Sequence, residues 1–185
     1  GMRAVYDSGF VLGRGTAEDF WQLLKARTGL AGDADALSRR LLDGFLPRPW
    51  MLQLVRRLRD AGFTTGILSD QTDWLDALDA RYHFFADFDR IYNSYYLGRG
   101  KRDPATFRQV ADDLGLEPAA VLLIDDDAGN VERARAAGWC AIQYLEAADF
   151  KALSQEYRLL VGGTRVSARG LNKLLIELAG LEKRR

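Results

Sequence analysis

One cysteine, one histidine and no excess of either charge sign narrow what this 185-residue chain can be. Cys140 alone excludes an intramolecular disulfide framework and a thiolate-rich zinc site. With His83 the only imidazole, a histidine-built metal cluster is excluded too. Lys+Arg and Asp+Glu both total 26, so no net field recruits nucleic acid or an anionic membrane, and neither is expected as a partner. No apolar run approaches the roughly 20 residues that span a bilayer. Gly1-Met2-Arg3 opens without the apolar stretch of a signal peptide, and Gly1 ahead of Met2 reads as a tag remnant. These absences point to a reducing cytoplasm. There is no internal repeat and no low-complexity segment. What is present is 48% hydrophobic and 28% charged residues, enough to bury one core domain with a small insertion.

The middle of the chain alternates helix-like and strand-like segments, the pattern of an α/β protein with a parallel sheet covered on both faces. Trp50, Met51, Leu54, Val55 and Leu58 form a helical stripe closed by Gly62, and Phe63 to Leu68 reads as a strand running into Ser69-Asp70. A helix is expected over Trp74 to Tyr82 and a short strand over Asp89 to Tyr92. Asp103-Pro104 opens a further helix that ends at Gly115. Val121 to Ile124 is the cleanest buried strand and empties into Asp125-Asp126-Asp127. A helix over Asn130 to Ala137 and a strand over Cys140 to Ile142 follow. Thr16 caps an earlier helix to Leu30, and Asp35 to Phe45 is a second; together they read as a small helical lobe. Leu171, Leu174, Leu175, Leu178 and Leu181 form a leucine stripe near the C-terminus. It reads as a helix that docks on the core or joins two chains as a homodimer.

Three pieces recur in an order that suits phosphoryl transfer. Ser69 sits at a strand end, Lys101 in the glycine-rich stretch Gly98 to Pro104, and adjacent carboxylates follow Ile124. Carboxylates hold a hard divalent cation, and Mg²⁺ commonly takes one or two of them plus substrate phosphate. A lysine and a hydroxyl can then orient the remaining phosphoryl oxygens. Each piece also has a plainer meaning. The aspartates could cap the next helix, Lys101 could belong to a solvated basic loop, and Ser69 could be a polar strand end.

Taken together the pieces resemble the haloacid dehalogenase superfamily, in the branch whose helical cap is inserted after the first strand. "ILSD" (Ile67 to Asp70) is similar to that family's second motif, and "GRGKRDPATF" (Gly98 to Phe107) to its G-x-x-K-P-D-P-x-x-F, with Arg102 in place of the usual proline. "LLIDDDAGNVERARAAGW" (Leu122 to Trp139) is similar to its h-h-h-D-D-x-x-x-N-V-x-x-A-x-x-x-G, and "LGRGTAEDFW" (Leu12 to Trp21) to part of its cap. The resemblance implies a Rossmannoid parallel sheet with helices on both faces and a small helical cap. It assigns phosphate binding to Ser69 and Lys101, Mg²⁺ ligation to Asp125 and Asp126, and support to Asn130. The domains it suggests are a cap over residues 13–46, a core over 47–160 and a C-terminal helical extension over 161–185.

The family's first motif is a strand ending in the aspartate that attacks phosphorus. Residues 2–12 allow two readings: Arg3 to Tyr6 as the central strand with Asp7 the nucleophile, or the end of a cap helix, with no nucleophile strand in the chain. The implied function is Mg²⁺-dependent hydrolysis of a small phosphorylated metabolite through an aspartyl-phosphate. One alternative is a catalytically impaired binding or scaffold protein. Another is a 2-haloacid dehalogenase, which uses the same nucleophile without metal; against it, the acidic cluster would repel a carboxylate substrate.

Overall fold

The computed structural model describes residues 2–144 and the backbone of residues 173–176. The first helix, α1 (Met2–Asp7), occupies the segment in which a central strand was one expectation, and so overturns it. A β-prone stretch yields here to tertiary contacts. Ala4 is buried with Phe10, Phe20 and Trp21, and Asp7 pairs with Arg27 at 2.7 Å. The second helix, α2 (Ala17–Thr28), starts with a capping box: the Asp19 amide donates to Thr16 Oγ1 and the Thr16 amide to the Asp19 carboxylate, and Gly29 closes the helix at φ 71°. Asp33 caps α3 (Ala34–Asp43) through the Ala36 amide. These three helices share one apolar cluster that also reaches Trp74 and Tyr95 of the core, where the Phe10 ring meets Trp74 edge-on.

Then come α4 (Pro49–Asp60), β1 (Thr64–Ser69), α5 (Trp74–Tyr82), β2 (Arg90–Asn93) and the short α6 (Ser94–Leu97). They are followed by α7 (Ala105–Leu114), β3 (Val121–Asp125), α8 (Ala128–Ala136), β4 (Cys140–Gln143) and β5 (Lys173–Ile176). The five strands form one sheet in the order β2-β1-β5-β3-β4, and every pairing is parallel. Strand alternation sends Ile67, Leu122 and Ile124 to the face covered by α4 and α5, and Leu68, Val121 and Leu123 to the face covered by α7 and α8. This is the three-layer α/β arrangement the helix–strand alternation implied.

The last strand is the unexpected element. Lys173–Ile176 lies in the middle of the sheet, in register with Thr64 to Gly66 on one side and Val121 to Ile124 on the other. Over these four residues the chain is a strand, not the leucine-striped helix, so the surface on which a homodimer was expected is absent there. The remainder of the 161–185 extension lies outside the described residues. Among the described residues no helix is long and apolar enough to cross a membrane. Cys140 is exposed.

Candidate active site

Parallel strands deliver their C-terminal ends to one edge, and the polar residues of this chain collect there. Asp125 closes β3 and is almost fully buried. An isolated buried carboxylate is costly, and the loop before α7 supplies its counter-ion. Lys101 is wholly buried, and its Nζ donates to Asp125 Oδ2 at 2.8 Å and to the Leu68 carbonyl at 3.3 Å. Two further donors hold the carboxylate: the Asp127 amide at 2.8 Å to Oδ1, and Asn130 Nδ2 at 3.2 and 3.0 Å to the two oxygens. Ser69, at the end of β1, is 7% exposed on the same edge. Five of the six site residues picked from sequence therefore lie on or beside the C-terminal edges of β1 and β3.

The three consecutive aspartates have separate tasks. Asp127 is the helix cap, its Oδ1 accepting the Asn130 amide at 2.7 Å, so the plainer reading of the acidic run is correct for this residue. Asp125 is buried against Lys101. Asp126 is exposed, yet its carboxyl is pushed above the ordinary carboxylate range, first by partial desolvation and then by the charge on Asp125. Lys101 and Arg48 offset part of that rise.

Asp7 is the sixth residue, and it stands elsewhere. Its carboxylate pairs with Arg27 of α2 and with Arg3 one turn back, both within the helical lobe.

Several residues that brace the site were not picked from the sequence as site residues. The carboxylate of Asp70 accepts the Lys101 amide at 2.8 Å and the Tyr6 hydroxyl, tying the lysine loop to the lobe. Gly100 permits that approach, since a Cβ there would meet the Asp70 carboxylate at 2.9 to 3.1 Å. The Arg102 guanidinium stacks 3.8 Å from the centre of the Tyr6 ring, so the residue that departs from the family pattern joins core to lobe. Thr106 Oγ1 donates to the Gly100 carbonyl at 2.7 Å and braces the turn. The signal for Asp70 was its position beside Ser69 at a strand end. Arg102 and Tyr6 offered none.

A parallel sheet flanked by helices, with a buried lysine–carboxylate pair at its C-terminal edge, defines an α/β protein with its polar cluster where such sheets place their sites. The sequence makes the class specific. Residues 9–138 match the model of the haloacid dehalogenase-like hydrolases, and the chain belongs to that family. It is similar to Bifunctional epoxide hydrolase 2 of Rattus norvegicus, 30% identical over 116 residues that cover 59% of this chain and 20% of the relative. It is also similar to Enolase-phosphatase E1 of Frankia alni, 30% identical over 131 residues that cover 66% and 52%. The chain thus spans about half, or less, of the length of the curated relatives it matches. Among solved structures it resembles a HAD family enzyme of Bacteroides thetaiotaomicron, crystallised with magnesium and inorganic phosphate. That likeness has a TM-score of 0.65 and 20% identity, covering 78% and 76% of the two chains. It also resembles L-2-haloacid dehalogenase of Xanthobacter autotrophicus, with TM-score 0.60 and 22% identity over 97% and 81%.

Proposed function

We propose that the edge formed by Ser69, Lys101, Asp125 and Asp126 is the phosphoryl site of a Mg²⁺-dependent phosphomonoester hydrolase acting on a small phosphorylated metabolite. The observation that carries this reading is the buried Lys101–Asp125 pair braced by Asn130. A lysine buried at such depth is a fixed, desolvated cation, and an anion entering beside it meets a charge that water does not screen. Ser69 adds a hydroxyl at the end of β1, on the far side of β5 from Asp125.

The donors suit Mg²⁺. Asp125 and Asp126 offer hard carboxylate oxygens, and the Asp126 carboxyl, raised first by partial desolvation, is raised further by the neighbouring Asp125 charge, which a cation would offset. Among the described residues no three His, Cys, Asp or Glu side chains converge, so substrate phosphate and water would complete the coordination, as is usual for this ion. When bound there, Mg²⁺ supplies Lewis-acid polarisation of the phosphoryl oxygens. Asn130 and the Asp127 amide hold the Asp125 carboxylate in one orientation, and Lys101 limits its charge.

Asp7 has no part in this proposal, because Arg27 holds it in the lobe. That displacement favours a second reading, a phosphate-binding protein without turnover. Hydrolysis of p-nitrophenyl phosphate in millimolar Mg²⁺ separates the two. The hydrolase reading expects turnover that Asp125→Asn abolishes and Asp7→Asn leaves unchanged. Absence of turnover with phosphate binding retained would establish the second reading. The dehalogenase alternative has only the shared fold behind it and is opposed by the adjacent Asp125 and Asp126.

A further inference from the structure

Arg133 lies on α8, at a position the family's motif leaves unspecified, and closes a ring of contacts around the site. Its Nε donates to the Lys101 carbonyl at 2.9 Å and its Nη2 to Asn130 Oδ1 at 2.6 Å, while Asp127 Oδ1 lies 3.6 Å away. Asn130 Nδ2 donates to both oxygens of Asp125, and Asp125 accepts from Lys101 Nζ. The circuit therefore runs from Arg133 through Asn130, Asp125 and the Lys101 side chain, and back through the Lys101 backbone to Arg133. Gly129 leaves room for it, since a Cβ there would stand 3.1 Å from Arg133 Nη1.

We propose that Arg133 is a positioning residue that sets the amide orientation of Asn130 and clasps it to the Lys101 loop, so that Asp125 presents one fixed carboxylate geometry to a divalent cation. The inference rests on the reading of this edge as a Mg²⁺–phosphate site. The physical reason is one of donors and acceptors. A guanidinium has five donors and no acceptor, so the oxygen of the Asn130 amide must face it and the NH₂ must face Asp125. Without the guanidinium, the amide loses the contact that fixes its sense. A flipped amide would set its oxygen against the Asp125 carboxylate, with repulsion in place of two hydrogen bonds. A lysine at 133 keeps a charge, but it cannot reproduce the planar fork that reaches a carbonyl and an amide oxygen together. Groups hydrogen-bonded directly to a metal's ligands commonly govern about 10–100-fold in its affinity, and Asn130, whose orientation Arg133 sets, is such a group.

The test has two arms on the 185-residue chain. Calorimetric titration with Mg²⁺ alone is expected to show binding about tenfold or more weaker in Arg133→Gln, with Arg133→Lys between it and wild type. In an Asn130→Ser background, Arg133→Gln is expected to cause little further loss, because the two residues act through one contact. The second arm needs no metal: the Asn130 side-chain amide signals in a ¹H–¹⁵N spectrum, identified by their disappearance in Asn130→Ser, are expected to move in Arg133→Gln. If Arg133→Gln weakens Mg²⁺ binding equally with Asn130 intact and in the Asn130→Ser background, the proposal is overturned. Unmoved amide signals in both Arg133 variants would overturn it too. If wild type itself ignores Mg²⁺, the functional reading fails, and the amide signals alone decide whether the clasp exists. If Arg133→Gln does not fold, Arg133→Lys carries both arms.

Discussion

Replacing Lys101 by Met keeps the aliphatic stem and removes the charge, which makes it a sharp probe of the site. Lys101 and Asp125 have no exposed side-chain surface and meet at 2.8 Å. Deleting one member of such a pair leaves its partner's charge buried and under-compensated, and typically costs about 3–5 kcal/mol. Set against a total of roughly 5–15 kcal/mol for a domain, that is a large share. With about 2–4 °C per kcal/mol for a chain of this length, the melting temperature should fall by about 6–20 °C. Lys101→Met/Asp125→Asn removes both charges, while the asparagine oxygen can still accept the Asp127 amide, so the double variant should regain part of the loss, limited by the Asn130 NH₂ that then faces the new amide's NH₂. Far-UV circular dichroism on heating and urea titration read both effects. A single variant within about 1 kcal/mol of wild type would refute the reasoning, as would a double variant no better than the single.

Asp126→Asn should stabilise the metal-free protein near neutral pH. A carboxyl raised in the folded state contributes stability below its ordinary value of 3.8, and that contribution is lost as pH rises through the raised value. Removing the charge therefore raises the melting temperature at neutral pH and flattens the dependence above the ordinary carboxylate range; a lower melting temperature would contradict it. Deleting residues 173–185 takes out β5, which pairs at three positions with β1 and four with β3. At about 1 kcal/mol per backbone hydrogen bond that loss rivals the whole stability, so the cooperative transition should disappear. An unchanged melting curve would show that the central strand is dispensable.

Much of the core was legible because local and tertiary demands agree there. An apolar run emptying into aspartates made β3 plain, and Thr16 announced the start of α2, where the structure completes a capping box with Asp19. The misreadings fall where a short segment fits two periods. Ala4-Val5-Tyr6 is β-prone, yet packing of Ala4 and Val5 in the lobe's apolar cluster makes it helical, and so short a run carries too little pattern to decide. Leu174 and Leu175 fit a helical stripe when read with distant leucines and a buried strand when read with Ile176; the slot between β1 and β3 chose the strand. At the site, Ser69, Lys101 and Asp125 were legible because each sits in a patterned context. Asp70 and Arg133 were not, because their roles consist of contacts to Lys101, Tyr6 and Asn130 that only the fold brings about.

The proposed phosphoryl site is most directly tested by titrating inorganic phosphate into the protein in saturating Mg²⁺ and following the melting temperature. Binding to the native state alone adds RT ln(1 + [L]/Kd), about 2.7 kcal/mol at a hundredfold excess over Kd. Wild type should therefore melt progressively higher as phosphate rises, and Asp125→Asn/Asp126→Asn should show no such rise. A wild-type melting temperature indifferent to phosphate, or a rise that survives in the double variant, would contradict the assignment of this edge as the phosphoryl site.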